Sequence, residues 1–401
     1  MPLPNPDAAT RAAWATFTAF ALNGFALSTW IARLPAVRDQ LELRPAQVGL
    51  ILFVGSIGST VALPLAGWVI ERIGIRRTVI GAAATTVVSL AIAALMVAAG
   101  QPVWVAVALF GTSAGIAGWD VAMNVEGTVV ERAVGRAIMP RFHAGFSVGT
   151  VLGALLGAGT ARLGVPLEVH IPVVTALALV AVVLTVRWFI QDPPEVQEHH
   201  ERPSTFAVWR EPRTLLIGVV VLAAGLTEGS ANDWVALAVV DGFSQPNAVG
   251  ALAFAVFVSF MTLMRLAGTG LLERYGRVAT LRVCTGLSIA GLLLFTLAPA
   301  LPLAMAGVAL WGLGAALGFP VGMSAASDEP LRAAARISVV STIGYTAFMA
   351  GPPLIGLLAE IFGYRGALLF VAVPLVVSFL LIPVTRPLEA RRPGPAGSLP
   401  A

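Results

Sequence analysis

Thr78–Trp119 reads TVIGAAATTVVSLAIAALMVAAGQPVWVAVALFGTSAGIAGW, 42 residues without a charge, interrupted only by Gly100-Gln101-Pro102. A hydrocarbon core roughly 30 Å thick takes about 20 apolar residues of helix to cross. This stretch is long enough to cross, turn at the Gly-Gln-Pro break and cross back. The same layout returns at 283–327, 45 uncharged residues interrupted between Pro299 and Pro302. Each stretch is a helical hairpin of membrane-spanning length, and the pair marks a chain built from two related halves.

The rest of the composition agrees. The chain is 57% hydrophobic and 11% charged, with mean hydropathy +0.87, far from a soluble domain. All 25 basic residues are Arg. With so much Ala and Gly this reflects genome composition, and the basic balance implies no nucleic-acid partner. Cys284 is the sole cysteine, which excludes an intrachain disulfide and argues against a thiol-ligated metal site. Met1–Arg11 lacks a basic leader and the first apolar run lacks a small-residue cleavage site, so it reads as a retained first span.

Uncharged runs predict twelve helices, near 12–34, 46–70, 78–99, 103–130, 141–163, 167–189, 213–240, 247–272, 279–299, 302–328, 335–360 and 365–385. Helices are required because backbone groups cannot stay unpaired in lipid and the alternation of barrel strands is absent. With both termini cytoplasmic, nineteen Arg fall on the inner side against Arg33, Arg38, Arg44, Arg162 and Arg365 outside, with Arg265 inside a span. That asymmetry orients a multi-pass protein of a bacterial cytoplasmic (inner) membrane. The expected organisation is an N-terminal six-helix bundle (1–190), a charged, proline-containing cytoplasmic linker (191–212), a C-terminal six-helix bundle (213–386) and a Pro/Gly-rich disordered tail (387–401).

The halves align directly. Glu71-Arg72-Ile73-Gly74 matches Glu273-Arg274-Tyr275-Gly276 at an offset of 202, and Gly118, Met123, Arg132 and Arg136 match Gly318, Met323, Arg332 and Arg336 at an offset of 200. Two parallel six-helix halves are a plan of secondary transporters, with the solute site near the midplane between them. Gly67-Trp68-Val69-Ile70-Glu71-Arg72-Ile73-Gly74-Ile75-Arg76-Arg77 resembles the loop signature of the major facilitator superfamily, G-x-x-x-D-R-x-G-R-K/R, with Glu71 for the usual Asp and Ile75 at a commonly basic place. The resemblance covers nearly the whole chain and implies an all-α fold of twelve spans in two pseudo-symmetric bundles. It also implies that this loop latches one conformation at the cytoplasmic face, through Gly67, Glu71, Arg72, Gly74, Arg76 and Arg77 and a weaker copy, Glu273, Arg274, Gly276 and Arg277. The plainer reading is that the arginines only hold topology.

Ionisable groups at membrane depth are costly and usually face a cavity. Asp120 lies eleven residues before Glu131 in the fourth span, about 16 Å inward, with Asn124 one turn on. A carboxyl there could take a proton from one side and release it to the other; the plainer alternative is a carboxylate tied to a neighbouring helix. Its repeat counterpart is Pro320. In the seventh span Glu228 stands between Gly225 and Gly229, followed by Asn232, Asp233 and Trp234. Glu228 is expected to bind solute or protons, Asn232 to share its face, and Trp234 to offer an aromatic wall, with Asp233 either in the site or nearing the outer interface. Arg265 is expected to snorkel or to pair with Asp120 or Glu228. Asn23 and Trp30 share a face of the first span that is expected to line the cavity, and His143 reads as interfacial. Gly145, Gly149, Gly153 and Gly157 form a small-residue ladder, expected as a sliding seam with the other half.

Asp120 followed four later by Asn124, and Glu228 with Trp234, resemble the fucose-permease-like branch, which carries sugars with protons. That branch also uses an acid in the first span, and here none lies between Arg11 and Asp39. The expected function is therefore a proton-coupled symporter of a small polar solute, sugar-like by resemblance, working by alternating access with Asp120 and Glu228 as proton carriers. The alternative is a proton-driven drug or metabolite exporter; exporters of the superfamily usually carry a Gly-Pro pair in the fifth span, and no proline lies between Pro140 and Pro166. An enzyme is disfavoured, since no nucleophile stands beside a base and no metal-spaced cluster or phosphate loop is present. Neither cofactor nor metal is expected, and family precedent implies a monomer.

Overall fold

Apolar runs this long have one way to satisfy their backbone in lipid, and the computed structural model, which describes residues 6–136, 138–190, 208–329 and 332–387, is helical throughout its regular elements. We label the helices α1 (Pro6–Ile31), α2 (Leu34–Gln40), α3 (Pro45–Ile73), α4 (Ile75–Ala98), α5 (Pro102–Val134), α6 (Met139–Arg162), α7 (Leu167–Thr185), α8 (Pro212–Gly242), α9 (Asn247–Leu297), α10 (Leu301–Ala315), α11 (Gly318–Ala326), α12 (Ala333–Leu369) and α13 (Ala372–Leu381). The expected linker falls largely, at 191–207, and the expected tail almost wholly, at 388–401, outside the described residues.

Ten helical segments are long and apolar enough to cross a membrane, and two of them, Asn247–Leu297 and Ala335–Thr385, run for 51 residues. A straight helix of that length spans roughly 76 Å, more than twice the hydrocarbon core. Each is broken by a glycine with left-handed φ, Gly276 (φ 76°, ψ 166°) and Gly363 (φ 69°, ψ 166°), so each crosses twice and the described chain makes twelve crossings. Gly74, at the α3–α4 turn, has φ 83° and ψ 159°. Gly74 and Gly276 are the paired signature glycines of the repeat, and they adopt the same backbone conformation, which a side chain would strain. The pseudo-symmetry is therefore visible in the backbone as well as in the letters. With an even number of crossings, both described ends lie on one face, here the termini face.

The tenth span is split between α10 and α11. Pro320 has no N–H to give the carbonyl four residues back, so the Ala316 oxygen is left open; Arg265 Nε donates to it at 3.3 Å. The glycine ladder of α6 packs inside its own half. A methyl built on Gly145, Gly149, Gly153 or Gly157 would strike Phe17, Ala21, Ser28 or Ala32 of the first span and its end. The expectation of a sliding seam with the other half is thus corrected: without Cβ atoms the α6 backbone sits directly on α1. The halves meet instead where α3 packs on α12 and α6 on α9.

Candidate solute chamber

On α5 the half-buried or exposed residues Asp120, Asn124, Thr128 and Glu131 recur at i, i+4, i+8 and i+11, a single stripe. On α12, Ser338, Thr342, Tyr345 and Met349 do the same at i, i+4, i+7 and i+11. A polar stripe open to solvent on a membrane helix lines water, since lipid would not solvate it. The stripes belong to opposite halves and face each other: Tyr345 lies within electrostatic reach of Asp120. A second cross-half approach brings Arg265 of α9 to within reach of His143 on α6. Together these walls bound a chamber that opens toward the termini face.

The acids differ in how they are held. Asn124 Nδ2 donates to the Asp120 carbonyl at 2.8 Å, and Asp120 has no ion-pair partner among the described residues. Glu228 is clamped: both its oxygens accept from Arg265 Nη2 at 3.0 Å, a charge-assisted pair that leaves neither group bare. Arg265 therefore neither snorkels nor meets Asp120; it bridges α8, α9 and the α10–α11 break. Asn232 and Asp233 are half-buried on α8, and Asp233 has no hydrogen bond or ion pair among the described residues. Gly225 and Gly229, on either side of Glu228, make room for the Phe348 ring, whose atoms would lie 3.1 Å from a methyl at either place. Phe348, Phe319 and Tyr345 form a triad with centroids 5.9–6.3 Å apart.

Three expected site residues are buried in this conformation. Asn23 is fully buried, its Nδ2 3.4 Å from the Ile116 carbonyl, and ties the first span to the fourth. Trp30 is buried. Trp234 packs against Tyr364 with centroids 5.7 Å apart, in the core below the face opposite the termini. Helix rotation decides all three, and it is set by neighbours far away in sequence.

At that opposite face the halves are latched. Arg38 donates to Asp241 at 2.5 Å and to Asp39 at 2.6 and 2.8 Å. Asn247 donates to Asp39 at 2.9 Å, and the Ala46 amide to Glu360 at 3.2 Å. Deeper in, Ser56 Oγ donates to the Phe348 carbonyl at 3.1 Å.

The signature loops lie apart on the other face. Gly67, Glu71, Arg72, Gly74 and Arg77 are exposed and Arg76 half-buried, with Arg72 resting over the Trp68 ring at 4.6 Å. In the second copy Glu273, Arg274 and Gly276 are exposed, and Arg277 makes a bidentate pair with Asp328 at 3.0 Å. Arg277 supplies the basic group that Ile75 lacks in the first copy. Ion pairs here knit the C-terminal half to itself, Arg213 to Asp328 and Arg332 and Arg336 to Glu211. Sequence reasoning missed the Arg38 latch and the aromatic triad. The polar period along α12 was a signal that could have found Tyr345.

A twelve-crossing bundle with a polar chamber between halves has a matching counterpart in sequence. The profile described as Major Facilitator Superfamily matches residues 16–330 and again 234–401. The chain belongs to the major facilitator superfamily. Within the superfamily it is 33% identical over 371 residues to the uncharacterized transporter y4wD of Sinorhizobium fredii, covering 92% of this chain and 96% of that one. Its fold superposes on the nucleoside transporter NupG with TM-score 0.73 at 16% identity, covering 94% and 98% of the two chains. The Escherichia coli fucose:proton symporter FucP gives 0.64 at 14% identity over 92% and 97%. The protein is thus a multi-pass membrane protein of a transporter family, with bacterial relatives, and shares its architecture with carriers of chemically different solutes.

Proposed function

We propose that this protein is a proton-coupled secondary transporter that moves a small polar solute across the bacterial inner membrane by alternating access. The observation that carries the reading is a chamber whose two polar walls come from different halves, open at one face and latched at the other. Rocking the halves exchanges which face is open. The arginine asymmetry assigns the termini face to the cytoplasm, so the conformation described here faces inward. The signature loops, exposed and apart in this state, are in position to latch the opposite one.

Asp120 is the proton carrier we favour, because it faces the chamber with no cation among the described residues to hold it ionised. Glu228 contributes differently: protonating it dissolves the clamp and frees Arg265, which couples proton binding to the packing of α8 on α9. Asp120→Asn should abolish gradient-driven accumulation in proteoliposomes while leaving solute counterflow measurable. Uphill uptake at the unmodified rate by that variant would remove Asp120 from the mechanism.

A further inference from the structure

The chamber's charge does not balance. At membrane depth in the C-terminal half Glu228 and Arg265 cancel each other through their bidentate pair. That leaves Asp120, on the chamber wall, with no counter-cation among the described residues. A chamber with a surplus carboxylate and a guanidinium already paired with its own acid repels an anion and gives a neutral solute no ionic advantage. An organic cation completes it.

The wall opposite Asp120 adds shape. Tyr345 is about half exposed, 48% of its surface open, and continues into Phe348 and Phe319. Phe348 is held from behind by Gly225 and Gly229. Ring faces carry negative potential, so a carboxylate across from a cluster of aromatic rings is complementary to a positive group with apolar substituents. The repeat sharpens the point: where the N-terminal half has Asp120 and Asn124, the C-terminal half has Pro320 and Ser324. At this repeat position the acid belongs to the N-terminal wall alone, and Tyr345, Phe348 and Phe319 to the C-terminal wall, so that a bound solute would meet both.

Resting on the transport reading above, we infer that the cargo is an organic cation carrying a planar or aromatic group, its ammonium at Asp120 and its ring against Tyr345 and Phe348. A sugar or a neutral nucleoside would leave Asp120 uncompensated whenever it is not protonated.

The test uses the purified full-length protein and four probes: benzyltrimethylammonium, phenylacetate, uridine and L-fucose. Calorimetric titration should show binding of benzyltrimethylammonium and none of phenylacetate. Asp120→Asn and Tyr345→Leu should each weaken it about tenfold, with the unfolding temperature of the unliganded protein kept within a few degrees as the check on folding. Failure of benzyltrimethylammonium to bind, binding that ignores both substitutions, or tighter binding of uridine or L-fucose at the same site overturns the inference. Proteoliposomes separate this from the transport reading. Cation binding with both sensitivities but no cation-dependent proton movement defeats the transport reading alone. Proton movement driven by uridine or L-fucose and not by the cation defeats the cargo class alone.

Discussion

Replacing Arg38 by Gln should unlatch the face opposite the termini and shift the protein toward its other conformation. The Arg38 side chain is 11% exposed, while its partners Asp39 and Asp241 are 43% and 46% exposed. Pairs with exposed acids contribute about 0.2–1 kcal/mol each, and here one guanidinium serves two carboxylates. Losing it also frees Asp39, which positions Asn247 from the other half. The sum is on the order of 1–2 kcal/mol, and each 1.4 kcal/mol is about tenfold, so the ratio of the two conformations should move roughly 5- to 30-fold. Spin labels at Gln40→Cys and Ser244→Cys, both exposed on this face, report the gap by pulsed electron resonance. Cys284, the one native thiol, is buried and can be replaced by Ser. The Arg38→Gln sample should gain a longer-distance population. Arg44→Gln is the control, since the Arg44 hydrogen bonds stay within its own helix. An unchanged distance distribution in Arg38→Gln would show that the ion cluster does not hold this gate.

Three further outcomes follow from the same geometry. Arg265→Leu should abolish transport by leaving Glu228 buried and unpaired, a loss of about 3–5 kcal/mol for a buried pair, discounted here because the Arg265 side chain is 29% exposed; adding Glu228→Gln should recover most of the lost thermal stability, and a strictly additive double variant would refute the coupling. Gly149→Val should lower the unfolding temperature sharply because the new atoms meet the Ala21 backbone, whereas Gly159→Val, with nothing within 4 Å, should be nearly silent. Glu211 lies outside the spans: burial pushes its carboxyl up, but the donors of Arg336, Thr214 and Arg332 outweigh it and hold it below the ordinary 4.5. Its contribution to stability is therefore present at neutral pH and lost as pH falls through the lowered value, so Glu211→Gln should be less stable than the parent at about pH 7, and the gap should close as the pH is taken below that value.

Much of the architecture was legible because lipid leaves the chain few options. Charge-free length set the twelve crossings, and the duplicated Glu-Arg-x-Gly motifs predicted a repeat that the matching φ of Gly74 and Gly276 bears out. The candidate site was readable in part. Asp120 and Asn124 could be placed on one face by their four-residue spacing alone. The clamping of Glu228 by Arg265 was one of two pairings the sequence left open, and only packing of α8 on α9 decides it. Asn23 meets Ile116 of its own half because a few tens of degrees of helix rotation, invisible to spacing, turn it there. The Arg38 latch joins residues about 200 positions apart through loop ends, where no periodicity operates.

Gly49 and Gly356 lend the latched face an unusual texture. A methyl on Gly49 would meet the Pro352 carbonyl, and one on Gly356 would lie 2.7 Å from the Pro45 carbonyl oxygen. At these two glycines the plates close backbone against backbone. Parting them also uncovers the buried Val48, Ile51, Ile355 and Ala359 of the same two helices, so the rim charges share the resistance to opening with the apolar surface beneath them. A single added methyl on either plate would act as a doorstop.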